Sequence, residues 1–171
     1  MSNLFSLNQQ AVLGANSQTL VITFLASFLV WFMFAGIVIL WIAEGKVKKE
    51  QVLHAFTAAF LVWIITQMLK NLLPTVRPFA LNDRFPLTLT MPNDGAFPSS
   101  HTAIAFSLAA TLWLHNKKLG YIYFVSALFV GIGRIFANVH YLLDIVVGGL
   151  LGIMVAVIVD KLRLFKILKA R

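Results

Sequence analysis

The sequence predicts an all-α polytopic membrane bundle of about five transmembrane helices, with a short interfacial helix ahead of them. Three observations carry this expectation. The 171 residues are 60% hydrophobic and only 12% charged, roughly half the charged share of an ordinary soluble domain. No charged residue occurs from Met1 to Ala43. Apolar runs long enough to cross a bilayer then recur, and in lipid such a run must be helical, because a helix satisfies its own backbone hydrogen bonds.

Taken in order, residues 1–18 read as an interfacial segment. Leu4, Phe5, Leu7, Ala11 and Leu13 alternate there with Asn and Gln, as in a helix lying along a membrane surface. The following run has no basic leader and is too long for a cleavable signal peptide. The expected spans are Thr19–Ala43, Val52–Leu69, Ser99–Asn116, Leu119–Val139 and His140–Val159. A loop over residues 74–98 and a basic tail over residues 160–171 complete one integral-membrane domain, 1–171. Gly148 and Gly152 have the G-x-x-x-G spacing of closely packed helices. There is no cysteine, which removes disulfides and thiolate metal sites.

Charge placement sets the orientation. Lys46, Lys48, Lys49, Lys117, Lys118, Lys161, Arg163, Lys166, Lys169 and Arg171 share one side if the five spans alternate. Lys and Arg collect in cytoplasmic loops, so that side is expected to be the cytoplasm. Trp41 and Trp113 fall at the same face. The net charge of +8 thus points to anionic lipid headgroups rather than nucleic acid.

The other four cations, Lys70, Arg77, Arg84 and Arg134, sit toward the outer face against this bias. Ionisable groups at membrane depth cost about 2.5–3.5 kcal/mol each at a helix centre, and they mark function. All five prolines lie between Pro74 and Pro98. Their fixed φ suits a shaped cover over a site better than a mobile tether.

The outer polar residues fall in three clusters. "KNLLPTVRP" gives Lys70 and Arg77, "PSSH" gives Ser99, Ser100 and His101, and "GRIFANVHYLLD" gives Arg134, His140 and Asp144. His140 and Asp144 are four apart and would share a helix face. The carboxylate would then hold one imidazole nitrogen and leave the other nucleophilic. Taken alone, the pair reads equally well as a structural stitch between helices. Three converging cations tip the reading toward an oxyanion with several oxygens, which Arg forks suit well. Ser99 at a helix N-cap adds backbone N–H donors and a positive dipole end. Asp83, Asp94 and Asp144 are too few to neutralise the cations or to gather Mg²⁺ or Ca²⁺, so no metal and no cofactor is expected. A serine-hydrolase triad of Ser100, His140 and Asp144 lacks the G-x-S-x-G elbow and leaves the cations without purpose. His54 and His115, toward the cytoplasmic side, read as packing or interface residues.

With these residues in view, the chain resembles the type 2 phosphatidic acid phosphatase superfamily. Lys70, Arg77 and Pro78 match its K-x-x-x-x-x-x-R-P motif. Pro98, Ser99 and His101 match P-S-G-H, and Arg134, His140 and Asp144 match S-R-x-x-x-x-x-H-x-x-x-D. Ser100 stands in place of the motif glycine and Gly133 in place of the serine. The former still supplies a backbone N–H, and the latter removes one hydroxyl. The resemblance implies a metal-independent double displacement. His140 would be the nucleophile, oriented by Asp144, and His101 the acid. Lys70, Arg77, Ser99, Ser100 and Arg134 would stabilise the phosphoryl oxygens.

Within the superfamily, the size and the "FPSSHT" context look like bacterial undecaprenyl pyrophosphate phosphatases of the bacitracin-resistance type. That implies an enzyme of the bacterial cytoplasmic membrane whose site faces the exterior and recycles the cell-wall carrier lipid. Its partners would be a lipid phosphate or pyrophosphate and membrane lipids, with oligomeric state left open. Phosphatidic acid or phosphatidylglycerophosphate is the alternative substrate. A non-catalytic lipid-binding or transport protein on the same scaffold would have no need of His101, His140 and Asp144 together.

Overall fold

The computed structural model describes residues 17–42, 45, 47–82 and 84–162; residues 1–16 of the expected interfacial segment, Asp83 and the tail from Arg163 lie outside them, and residues 17 and 18 open the first helix. Among the described residues the regular structure is entirely helical: α1 (Ser17–Ile42), α2 (Lys49–Leu72), a short α3 (Pro78–Asn82), α4 (Ser100–His115), α5 (Lys117–Phe136) and α6 (Leu142–Leu162). Helices α1, α2, α5 and α6 are long and apolar enough to cross a membrane. Helix α4 has 16 residues, about 24 Å at 1.5 Å per residue, and it is enclosed by the others. The protein is thus a multi-pass membrane protein built on five main helices.

The boundaries follow from local chemistry. Helix α2 starts where Gln51 Oε1 accepts the Lys48 N–H at 2.9 Å, and it stops before Pro74, which cannot continue it. Pro78 opens α3, a first-turn position where its missing N–H costs nothing. Asn116 ends α4 and caps α5, its side-chain oxygen accepting the Leu119 N–H at 3.1 Å. The last helix begins at Leu142 rather than at His140, so His140 lies on the approach to α6. Within α1, Phe24–Phe28 form a π-helical turn, a local widening frequent at functional sites.

Helix α4 is the axis of the bundle and packs against α2, α5 and α6. Small side chains make this close approach possible. Ala103, Ala105, Ser107, Ala109 and Ala110 are buried along α4, with Leu108 and Leu112 filling the space between them. Opposite them, a Cβ on Gly148 would lie 2.7 Å from the Ser99 carbonyl oxygen, and one on Gly152 would strike the Ala103 carbonyl. The Gly148/Gly152 spacing therefore serves packing inside the chain. In lipid such contacts supply the association energy through van der Waals packing, since apolar burial from water contributes little there. Outward-facing residues such as Trp31, Leu143 and Leu150 are accordingly large, apolar and exposed.

Helix ends show the alternation. Lys70 at the end of α2, Ser100 at the start of α4, Arg134 at the end of α5 and Asp144 at the start of α6 gather at one end of the bundle. Lys48, Lys49, Lys117 and Lys161 mark the opposite end. There Lys117 Nζ lies 4.6 Å from the centre of the Trp113 ring.

Candidate active site

Five segments bring their polar groups to that first end. Lys70, Arg77, Arg134, His140 and Asp144 are all buried, although all five are ionisable and burial penalises charge. Their partners explain how they are tolerated.

His140 is held from both sides. Its Nδ1 lies 3.2 Å from Asp144 Oδ2. Its Nε2 lies 3.3 Å from Arg77 Nη1 and 3.4 Å from Arg134 Nη2. Guanidinium groups only donate, so Nε2 is the unprotonated nitrogen and Nδ1–H donates to the carboxylate. The arrangement presents a lone pair between two cationic forks.

The His140–Asp144 pair is made differently from the expected shared helix face. With His140 outside the helix, Asp144 occupies its third residue and reaches back. Its Oδ2 accepts the Tyr141 N–H at 2.9 Å as well as the imidazole. This is the helix-capping use of a first-turn carboxylate, and it fixes the direction of the acceptor. The Asp144 carbonyl also accepts the Ser99 N–H at 3.1 Å, tying α6 to the start of α4.

Arg134 Nη1 donates to the Ala26 carbonyl in the π-helical turn of α1 at 3.0 Å. Its Nε is buried without a hydrogen-bond partner among the described residues, a donor that an anion's oxygen would satisfy. Gly133 beside it explains the missing motif serine. A Cβ there would lie 2.7–2.8 Å from Leu25 Cβ, Leu25 C and Ala26 N. The backbone of α1 fills the space that the side chain would need.

The proline-rich segment folds over these groups as a cover. Leu89 N–H donates to Ser27 Oγ, Leu87 N–H to the Ala137 carbonyl, and Phe97 N–H to Thr75 Oγ1. Its Asp94 carboxylate bridges two cations, with Oδ1 2.7 Å from Arg77 Nη2 and Oδ2 2.9 Å from Lys70 Nζ. Partial burial acts to raise the Asp94 carboxyl, but the bonds and charges of Lys70 and then Arg77 outweigh it. The group is held below the usual carboxylate range. The Gly95 carbonyl takes a second bond from each cation.

Of the residues singled out in sequence, Lys70, Arg77, Ser100, His101, Arg134 and His140 line one cavity of about 680 Å³. Asp144 stands behind His140. Ser99 occupies the N-cap position of α4, but its hydroxyl is turned into the packing, where it accepts from Thr102 Oγ1 at 3.0 Å. Ser100 is the serine on the cavity and receives Gln67 Nε2 at 3.4 Å. Arg84 lies exposed, outside the cavity. Asp94, Gln67 and the Ala26 carbonyl were not found from sequence. Asp94 did carry a signal as one of only three carboxylates in the sequence from Lys70 to Asp144, whereas a backbone carbonyl carries none.

The cavity continues away from the cations along Trp31 and Phe34 of α1 and Phe56, Phe60 and Trp63 of α2, where the two helices pack little against each other. It therefore has a cationic end and an aromatic, lipid-facing end. Among the described residues, the two carboxylates near the polar end are already engaged, Asp94 by two cations and Asp144 by His140 and Tyr141. The donor set is that of an anion site.

A buried imidazole backed by a carboxylate, beside three cations in a bundle of membrane helices, defines a membrane-embedded phosphatase. The chain belongs to the PAP2 superfamily, whose family model matches residues 51–166. It is 33% identical over 139 residues to the bacitracin transport permease protein BcrC of Bacillus licheniformis, covering 81% of this chain and 68% of that protein. It is 31% identical over 90 residues to an undecaprenyl-diphosphatase of Sulfolobus acidocaldarius, covering 52% of this chain but only 44% of that one. The crystal structure of Aquifex aeolicus LpxE superposes with a TM-score of 0.71 at 31% identity, covering 93% of each chain.

Proposed function

We propose that the chain is one integral-membrane domain that hydrolyses undecaprenyl pyrophosphate to undecaprenyl phosphate and inorganic phosphate. In this reading His140 Nε2 attacks the terminal phosphorus, the bridging P–O bond breaks, and a phosphohistidine forms. His101 protonates the oxygen of the departing lipid phosphate. It then takes a proton from the water that attacks the phosphohistidine, releasing phosphate and restoring His140. Lys70, Arg77, Arg134, the Ser100 hydroxyl and the free N–H groups at the start of α4 stabilise the equatorial oxygens, where most of the catalytic benefit of phosphoryl transfer lies. Ser99 contributes by holding the α4 start against Asp144. No metal is required.

The observation that carries this reading is the His140 imidazole, with Nδ1 on Asp144 and Nε2 between Arg77 and Arg134. A phosphoryl group entering between the forks meets the lone pair directly. The aromatic end of the cavity favours a substrate whose tail stays in lipid. The Sulfolobus acidocaldarius relative is an undecaprenyl-diphosphatase by name, which favours the diphosphate. By the distribution of Lys and Arg, the site faces the exterior of a bacterial cytoplasmic membrane and the tail faces the cytoplasm.

The Bacillus licheniformis relative is named as a transport permease, so transport is the competing reading. His140→Ala separates the two, because a carrier keeps its activity and a phosphatase loses it. The decisive assay is phosphate release by the purified protein in EDTA from undecaprenyl pyrophosphate, phosphatidic acid, phosphatidylglycerophosphate and lysolipids. We expect the diphosphate to be preferred and vanadate to inhibit. Preference for a glycerophospholipid overturns the substrate, and strict dependence on added Mg²⁺ overturns the mechanism.

A further inference from the structure

At the end of the bundle away from the active site, three side chains converge that the phosphate chemistry does not use. His54 comes from the second turn of α2, His115 is the last residue of α4, and Asp160 lies near the end of α6. The His54 ring is fully buried, His115 is exposed, and the Asp160 side chain is 37% exposed. His54 Nε2 lies 2.9 Å from the Ala156 carbonyl oxygen. A carbonyl only accepts, so Nε2 carries the proton and Nδ1 presents its lone pair. That lone pair faces His115 Nε2 at 3.0 Å, and Asp160 Oδ1 lies 3.9 Å from His54 Nδ1. The ligand atoms of all three lie within 4.8 Å of one another.

We propose that His54, His115 and Asp160 form a binding site for a divalent first-row transition metal of the zinc class, one that braces α2, α4 and α6. Ligand atoms around a tetrahedral ion at about 2.0–2.1 Å stand roughly 3.3–3.5 Å apart. Shifts of a few tenths of an ångström to about an ångström in the exposed His115 and Asp160 side chains would close the triangle. Two imidazoles with one carboxylate suit zinc-class ions, whereas Mg²⁺ and Ca²⁺ favour all-oxygen sets. The Ala156 carbonyl on the far nitrogen of His54 is the outer partner that orients a metal-ligating histidine. Without metal, His115 Nε2–H donates to His54 Nδ1. Binding requires only that His115 carry its proton on Nδ1 instead. The exposed side of the cluster leaves an entry path and room for water as a fourth ligand.

The same three helices carry Lys70, His101 and Asp144 toward the other end. The metal therefore acts as a clamp on the scaffold and takes no part in phosphoryl transfer, which persists in EDTA.

The test uses the full chain, purified in detergent with a tag free of histidine, stripped with EDTA and dialysed. ZnCl₂ is titrated by calorimetry, CoCl₂ by visible absorption, and melting is followed in parallel. Wild type should bind one equivalent, show a ligand-field band with Co²⁺, and melt at higher temperature when loaded. His115→Gln and Asp160→Asn, at accessible positions, should each weaken binding at least about tenfold, remove the melting shift, and leave metal-free phosphatase activity unchanged. Two results overturn the site: no saturable one-equivalent binding in wild type, or equal binding by wild type and both variants. The wild-type titration decides even if a variant fails to fold.

Discussion

Restoring the family serine at Gly133 should damage this protein. A Cβ at that position stands 2.7 Å from Leu25 Cβ and 2.8 Å from Ala26 N, against about 3.5–4.0 Å for comfortable contact. Helix α1 must retreat by nearly an ångström, and overpacking of that kind costs about 1–3 kcal/mol. The displaced backbone also holds the Ala26 carbonyl that fixes Arg134 Nη1. A hydrogen bond to a charged group is worth about 1.5–3 kcal/mol, so misplacing Arg134 should lower kcat/KM roughly 10–100-fold. Phosphate release in EDTA and thermal melting in detergent, on Gly133→Ser and Gly133→Ala together, provide the measurements. Both variants should melt earlier and turn over more slowly, because the clash comes from Cβ rather than from the hydroxyl. A Gly133→Ser protein with wild-type melting and kcat/KM would refute the packing account of this position.

Asp144→Asn removes the charge that holds Nδ1–H of His140, and kcat should fall about 10²–10⁴-fold with little change in melting, read by phosphate release. Asp94→Asn loosens Lys70 and Arg77 together, so KM should rise more than kcat falls. The Asp94 carboxyl is held below its ordinary value, so its ion pairs stabilise the fold fully above about pH 4 and are lost as pH falls through the lowered value. Melting of wild type and Asp94→Asn should therefore differ at neutral pH and converge in strong acid. Gly152→Leu drives a side chain into the Ala103 carbonyl and should destabilise by about 3 kcal/mol or more, seen as early melting. Trp63→Ala, in the aromatic end of the cavity, should raise KM for a long-chain diphosphate and leave that for a short water-soluble one unchanged.

Much of this was legible because lipid imposes strict rules on a sequence. Uncharged runs had to be helices, and of the four cations against the charge bias Lys70, Arg77 and Arg134 line the cavity, whereas Arg84 lies exposed outside it. Element ends were less legible. His140 was expected inside the last span because Val, Leu and Ile surround it, yet the helix waits for Leu142 so that Asp144 can cap it. Ser99 and Ser100 could not be ranked from sequence, since which hydroxyl meets the cavity depends on the rotation of α4 against α6, set by Gly148. The role of Asp94 was hidden because the loop's path over the site is fixed by its backbone N–H groups reaching the distant Ser27 and Thr75 hydroxyls and the Ala137 carbonyl, pairings that no local sequence pattern reveals.

The exposed aromatic flank formed by Trp31, Phe60 and Trp63 has a kinetic consequence. A molecule arriving there has diffused sideways within a two-dimensional solvent, so the velocity depends on its mole fraction among neighbouring lipids. Adding inert detergent at constant bulk substrate should slow turnover by surface dilution alone. Affinity constants for this protein then acquire meaning only when the composition of the surrounding film is stated.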